Sequence, residues 1–209
     1  MTEQRSPASA DTILYLDAVS VSFDGFKAID NLSFFVKAGE LRAVIGPNGA
    51  GKTTMMRIIA TLARPSSGSV RIFGQDVARA DAGIRHRIGL VTHKSLLYAS
   101  LSALENVAFF ARMFGIDHAA DRAREILVKM GLEHRIDDPL RTYSRGMEQR
   151  CAIARALVHD PDILLLDEPF SGLDPDAAER LQNLLASRDQ TAGTVILTSH
   201  DLTRGAEIA

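Results

Sequence analysis

Gly46, Gly51, Lys52 and Thr53 stand in the spacing G-x-x-x-x-G-K-T within "IGPNGAGKTTMM". Glycines at those positions let the backbone curl until successive N–H groups point inward, where they donate to phosphate oxygens. A helix starting at Lys52 adds the positive end of its dipole. The Lys52 ammonium suits β- and γ-phosphates, and the Thr53 hydroxyl suits Mg²⁺. Gly46, Pro47, Asn48, Gly49, Ala50, Gly51, Lys52, Thr53 and Thr54 are therefore expected to form a nucleotide-binding loop.

Two further stretches carry groups suited to the same chemistry. "ILLLDEP" ends an apolar run in Asp167 and Glu168. An acid at the end of a buried parallel strand stands at the sheet edge where ligands bind. Asp167 is expected to hold Mg²⁺, directly or through water, and Glu168 to polarise an attacking water. "ILTSHD" sets His200 after another apolar run. There it either meets the γ-phosphate and the water or is a surface histidine at a helix start with Ser199 as cap.

The elements that must position these groups can be read from periodicity. Residues 13–23 alternate as a strand, residues 23–30 read as a turn around Asp24 and Gly25, and "LSFFV" is a second strand. "LRAVI" is a short buried strand, followed by a helix over 52–63 and strands at 67–74 and 87–91. From Ser102 the pattern turns helical. Ser102 and Glu105 form a capping box, and Gly115 and Gly131 close two successive helices. A third helix follows Ser144. Residues 162–168 and 194–199 are strands around a helix over 176–187, and the last residues begin another helix.

A strand-rich front, a helical middle and a rear of alternating strand and helix predict an α/β fold. It is expected to hold a P-loop NTPase core with a mixed sheet, an N-terminal antiparallel β subdomain and an inserted α-helical subdomain. Residues 1–12 are expected to be a disordered lead, and 13–209 one domain. Its core covers 13–91 and 160–209, with the helical insert at 92–159. Of the 209 residues, 46% are hydrophobic and 24% charged, the balance of a globular chain with a buried core. A formal charge of -2 argues against binding nucleic acid through bulk charge. With Cys151 as the one cysteine, no intrachain disulfide forms, which fits a reducing compartment. No apolar run approaches the ~18 residues that span a bilayer.

Taken in order, "GPNGAGKTT", "YSRGMEQR", "LLLDEP", "SGLD" and "TSHD" resemble the nucleotide-binding domain of ATP-binding cassette (ABC) transporters, from about Leu14 to the end. The resemblance implies ATP and Mg²⁺ as ligands and ATP hydrolysis coupled to transport. It also implies a head-to-tail homodimer with two sandwiched ATP molecules. An integral membrane permease would be the partner, and the place would be the cytoplasmic face of the cell membrane. It assigns Ser144, Arg145, Gly146 and Met147 to a helix start that faces the γ-phosphate held by the other protomer. Asp174 matches the loop that crosses the dimer interface. Phe23 lies near the position where the family stacks an aromatic ring on adenine, and a core phenylalanine is the alternative.

Two positions depart from the family pattern. Arg145 replaces the glycine common at the middle of the signature, and either contacts phosphate or crowds the interface. His93 stands where a glutamine normally serves Mg²⁺ and water. It would have to be neutral to play that catalytic and metal-binding part, so turnover is expected to fall as it protonates. The N-terminal third is similar to the ATPases of urea and branched-chain amino acid importers. From about Ile88 the chain is similar to the haem exporter ATPase of cytochrome c maturation. Leu96, Leu97, Tyr98 and Leu101 are either the permease-docking surface or the core of the insert. The family usually continues well past His200, so the C-terminus is expected to be truncated, with an unprotected sheet edge near Val195.

Overall fold

A computed structural model of the chain describes residues 11–79, 82–189 and 193–201. The fold is α/β, with one antiparallel and one parallel sheet. The first sheet holds β1 (Thr12–Phe23), β2 (Phe26–Lys37), β4 (Ser67–Ile72) and β5 (Gln75–Asp76) in the order β2-β1-β4-β5. The second holds β3 (Leu41–Ile45), β6 (Ile88–Val91), β7 (Ile163–Asp167) and β8 (Thr194–Ser199) in the order β3-β8-β7-β6, all parallel. The helices are α1 (Lys52–Ile59), α2 (Ala82–His86), α3 (Ala103–Met113), α4 (Ala119–Lys129), α5 (Arg145–Leu157) and α6 (Pro175–Asp189).

The central strands are apolar on both faces because both are covered. Side chains alternate across a strand, so Leu164 and Leu166 join one hydrophobic cluster while Ile163 and Leu165 join the other. The first cluster packs that face against α3, α4, α5 and α6. The second packs the opposite face against α1 and the antiparallel sheet. Each fully buried leucine or isoleucine contributes about 1.5–3 kcal/mol. These two layers hold the four parallel strand ends in fixed relative positions.

Three local expectations change. Residues 26–31 belong to β2, because the turn needs only Asp24 (φ 46) and Gly25 (φ 85). Two positive φ values in succession make a two-residue hairpin turn, and pairing resumes at once with Phe23 opposite Phe26. Helix α1 ends at Ile59, four residues before residue 63, where Thr61 turns left-handed at φ 60. The edge near Val195 is covered: β8 lies between β3 and β7, which leaves β3 and β6 at the edges among the described residues. The Ser102 capping box forms as expected. Residues 1–10 of the expected lead and the helix start after residue 201 lie outside the described residues. Among the described residues, no helix is long and apolar enough to cross a membrane.

Helix α5 carries Cys151, fully buried in the first cluster, where burial pushes its thiol up to about 12. Thiolate is the reactive form, so the native chain should resist iodoacetamide at pH 8 and react on unfolding. Mass-spectrometric labelling decides this. Native labelling as fast as in denaturant would mean that α5 is not packed as described.

Candidate active site

Each parallel strand delivers a candidate group at its C-terminal end. β3 runs into the glycine loop, β6 toward His93, β7 into Asp167 and Glu168, and β8 into His200. That edge of a parallel sheet is where α/β folds bind ligands. Gly46 N–H donates to the Ser199 carbonyl at 3.1 Å, which fastens the start of the loop to the end of β8. Gly49 and Gly51 take φ of 82 and 84, conformations that a side chain resists.

Lys52 is buried under the loop. Its Nζ donates to the Gly46 carbonyl at 2.6 Å and the Pro47 carbonyl at 3.1 Å, and lies 3.6 Å from Glu168 Oε1. Thr53 Oγ1 donates to Asp167 Oδ2 at 2.8 Å, and Thr198 Oγ1 donates to Asp167 Oδ1 at 2.7 Å. The Thr198 hydroxyl also accepts the Glu168 N–H at 3.0 Å. These bonds hold Glu168 in a left-handed conformation, φ 53, which costs about 1–3 kcal/mol and turns its carboxylate toward the glycine loop. Glu168 Oε2 lies 2.8 Å from His200 Nδ1, while its Oε1 is buried with no hydrogen-bond partner. An ionised carboxylate only accepts, so His200 donates from Nδ1 and keeps Nε2 for another partner. His200 is therefore bonded to Glu168 while its side chain stays 57% exposed, and Ser199 Oγ accepts the Asp201 N–H at 3.0 Å as the surface alternative with Ser199 as cap expects.

Phe23, Phe26, Asn48, Gly49, Ala50, Gly51, Lys52, Thr53, Thr54, His93, Asp167 and Glu168 line one cavity of about 410 Å³. Phe23 is 54% exposed, which removes the core alternative for it. The sequence reading missed Phe26, which is 69% exposed and lies across the hairpin from Phe23. Its signal was an aromatic placed directly after the two-residue turn. Thr198 was also missed. The threonine in "ILTSHD" points at β7, where it bonds the Asp167 carboxylate and the Glu168 backbone N–H.

The signature residues lie on one side of this site. Ser144 caps α5 by accepting the Met147 N–H at 3.3 Å, and the Met147 side chain packs against the first hydrophobic cluster. Arg145 is exposed, and its stem lies over Gly172 of the same chain. It lines a smaller cavity with His93, Ser95, Glu148, Asp167 and Glu168. Asp174 Oδ1 accepts the Ala177 N–H at 2.8 Å and so caps α6. Leu96 and Tyr98 are 55% and 52% exposed, while Leu97 packs against the first cluster.

The donor set fits a nucleotide with Mg²⁺. An inward-curled loop, a buried lysine and an orphaned carboxylate oxygen converge on one cavity. No cluster of three His, Cys, Asp or Glu side chains suited to a metal exists among the described residues. A Mg²⁺ held by Thr53 and Asp167 would take its remaining ligands from phosphate and water, as in nucleotide sites generally.

A family model described as "ABC transporter" matches residues 29–171. The chain is 37% identical to the linearmycin resistance ATP-binding protein LnrL of Bacillus subtilis, over 82% of this chain and 56% of that protein. It is 37% identical to the Nod factor export ATP-binding protein I of Cupriavidus metallidurans, over 90% of this chain and 63% of that one. It is 36% identical to the daunorubicin resistance ATP-binding protein DrrA3 of Streptomyces coeruleorubidus, over 96% and 64%. The chain thus spans about three-fifths of the length of these curated relatives. Among solved structures, a dimeric post-hydrolysis state of the ATP-binding cassette MJ0796 bound to ADP and Pi superposes with TM-score 0.87. It is 31% identical, over 94% of this chain and 91% of that one.

Proposed function

The chain belongs to the ABC transporter family, and from that premise we propose that it binds and hydrolyses ATP to energise an integral membrane permease. The observation that carries this reading is the meeting of Lys52, Thr53, Asp167, Glu168 and His200 at one end of the parallel sheet.

The residues act as follows. The glycine loop and Lys52 bind the triphosphate, with Lys52 exchanging the Gly46 and Pro47 carbonyls for phosphate oxygens. Thr53 and Asp167 would hold a Mg²⁺, which would supply positive charge against the phosphate oxygens. Glu168 orients and polarises water, with His200 bonded to its other oxygen. Phe23 and Phe26 offer exposed rings at the cavity mouth for a base to stack on. His93 lines the cavity beside both acids and serves Mg²⁺ or water. Ser144, Arg145, Gly146, Met147 and Asp174 complete the site of a second copy in a head-to-tail dimer. The domain divides as its helical content suggests, with residues 92–159 as the insert. Leu96 and Tyr98 on that insert face the permease at the cytoplasmic side of the membrane.

Export is the direction the relatives favour. Their names speak of linearmycin resistance, Nod factor export and daunorubicin resistance. The likeness of residues from about 88 on to the haem exporter points the same way, and none of these names favours import. Haem as cargo rests on that likeness alone, so the proposal stops at export.

The test is twofold. Purified chain should release phosphate from ATP only with Mg²⁺, and a multi-spanning membrane protein should co-purify with it. Phosphate release that persists in excess chelator would overturn the ATPase reading. Isolation from membranes with no such partner would overturn the transporter reading.

A further inference from the structure

The first turn of α5 is tied to two other segments of its own chain. Ser95 Oγ donates to Glu148 Oε1 at 2.5 Å. Among the described residues this is the one side-chain hydrogen bond between residues 92–101 and α5. On its other side the same turn grips the loop that follows Glu168. Gln149 Nε2 donates to the Pro169 carbonyl at 3.5 Å. A Cβ on Gly146 would sit 3.2 Å from the Gly172 carbonyl oxygen. A Cβ on Gly172 would sit 3.3 Å from both Cδ and Nε of Arg145. Gly172, at φ 78, is thus clasped between two consecutive residues of the helix start.

The segment on the Ser95 side is itself rigid. Asn106 is fully buried, accepts the Tyr98 N–H at 2.8 Å, and donates to the carbonyls of Tyr98, Leu101 and Ser102. That staple holds Leu96 and Tyr98 out to solvent. Backbone bonds from the Leu140 and Arg141 N–H groups to the Leu101 and Ala99 carbonyls tie this segment to the residues just before Ser144, and among the described residues Ser95 and Glu148 make its one direct side-chain link into α5. From α5 the clasp on Gly172 carries a push on Leu96 and Tyr98 toward Glu168.

We propose that Glu148 is a positioning residue: its hydrogen bond from Ser95 makes the Leu96 and Tyr98 surface, the first turn of α5 and residues 169–173 move as one unit. An acid in a first helical turn is also favoured by the helix dipole. That bland role needs no Ser95, and the difference is measurable. The proposal rests on the ATPase reading for its consequence in turnover, and on the geometry alone for the mechanical link.

The experiment uses the full chain with Ser95→Ala, Glu148→Ala, Glu148→Gln and the Ser95→Ala/Glu148→Ala pair. A hydrogen bond to a carboxylate is strong enough that its loss should lower kcat on the order of ten-fold. Both single alanine variants should show that fall, and the double variant should be no slower than either. The ATP dissociation constant should stay unchanged, because the glycine loop is untouched. Glu148→Gln should keep kcat near wild type, since its amide oxygen accepts the same hydroxyl. Amide hydrogen exchange at residues 170–173 should rise in each alanine variant.

A fall in kcat with Glu148→Ala but not Ser95→Ala, or additive effects in the pair, would overturn the coupling. So would raised exchange confined to α5. If the wild-type chain hydrolyses no ATP, the ATPase reading fails. Exchange at 170–173 in Ser95→Ala then decides the link, a rise supporting it and no rise overturning it.

Discussion

Glu168→Gln should lower ATP hydrolysis by about 10²–10⁴-fold, the range for losing a general base. ATP affinity should stay within about two-fold, since such a residue acts in the transition state and little in ground-state binding. The substitution keeps size, backbone and the N–H bond to Thr198, while it removes the negative charge and turns one acceptor oxygen into an amide donor. That charge has unusual surroundings. One oxygen is bonded to His200, and the other is buried without a hydrogen-bond partner, 3.6 Å from Lys52. A strained φ of 53 maintains the pose. A carboxylate held this way can orient a water between itself and a phosphate. Phosphate release and equilibrium ATP binding, measured on one preparation, separate the possibilities. Equal hydrolysis by both chains would remove Glu168 as the base. Parallel loss of affinity and rate would mean that the residue supports the binding loop.

The contrast between Glu168 and Arg145 shows which parts of the site were legible in sequence. The glycine loop, Asp167 and Glu168 owe their positions to local chemistry. An apolar run of strand length that ends in an acid, or in glycines and lysine, places those groups at the sheet edge wherever the strand packs. The capping box at Ser102 is equally local. Long-range facts were not legible. Nothing near Thr198 announces that β8 lies beside β7 and lets one hydroxyl bond the Asp167 carboxylate and the Glu168 backbone N–H. The same placement protects Val195, which the end of the chain alone made look exposed.

Arg145 illustrates the limit most clearly. Its distance from the family glycine left contact with phosphate and crowding of an interface equally open. Its stem lies over Gly172, a contact between residues 27 positions apart that depends on how α5 meets the loop after β7. Phe26 was lost for a smaller reason. A turn drawn over eight residues, where two suffice, hid an aromatic that belongs to the strand.

Gly51→Ala should abolish nucleotide binding far more completely than Gly49→Ala, although both glycines have φ near 83. The left-handed conformation costs either alanine about 1–2 kcal/mol. Around Gly49 an added Cβ meets nothing within 4 Å, so that strain is the whole effect. At Gly51 the Cβ would fall 2.4 Å from the Ala28 carbonyl oxygen and 3.1 Å from Ile29 Cγ1. Crowding of this kind adds about 1–3 kcal/mol, and the obstacle is backbone, which cannot rotate aside. Ala28 lies on β2, two residues from Phe26, so Gly51 is where the antiparallel sheet comes up against the phosphate loop. Relief requires moving either the loop, with Lys52 next in line, or the hairpin that presents the aromatic rings. Each movement opens the cavity. Calorimetric titration with ATP and urea unfolding of both variants make the comparison. Equal losses would show that the curl of the loop alone matters, and that its contact with β2 does not.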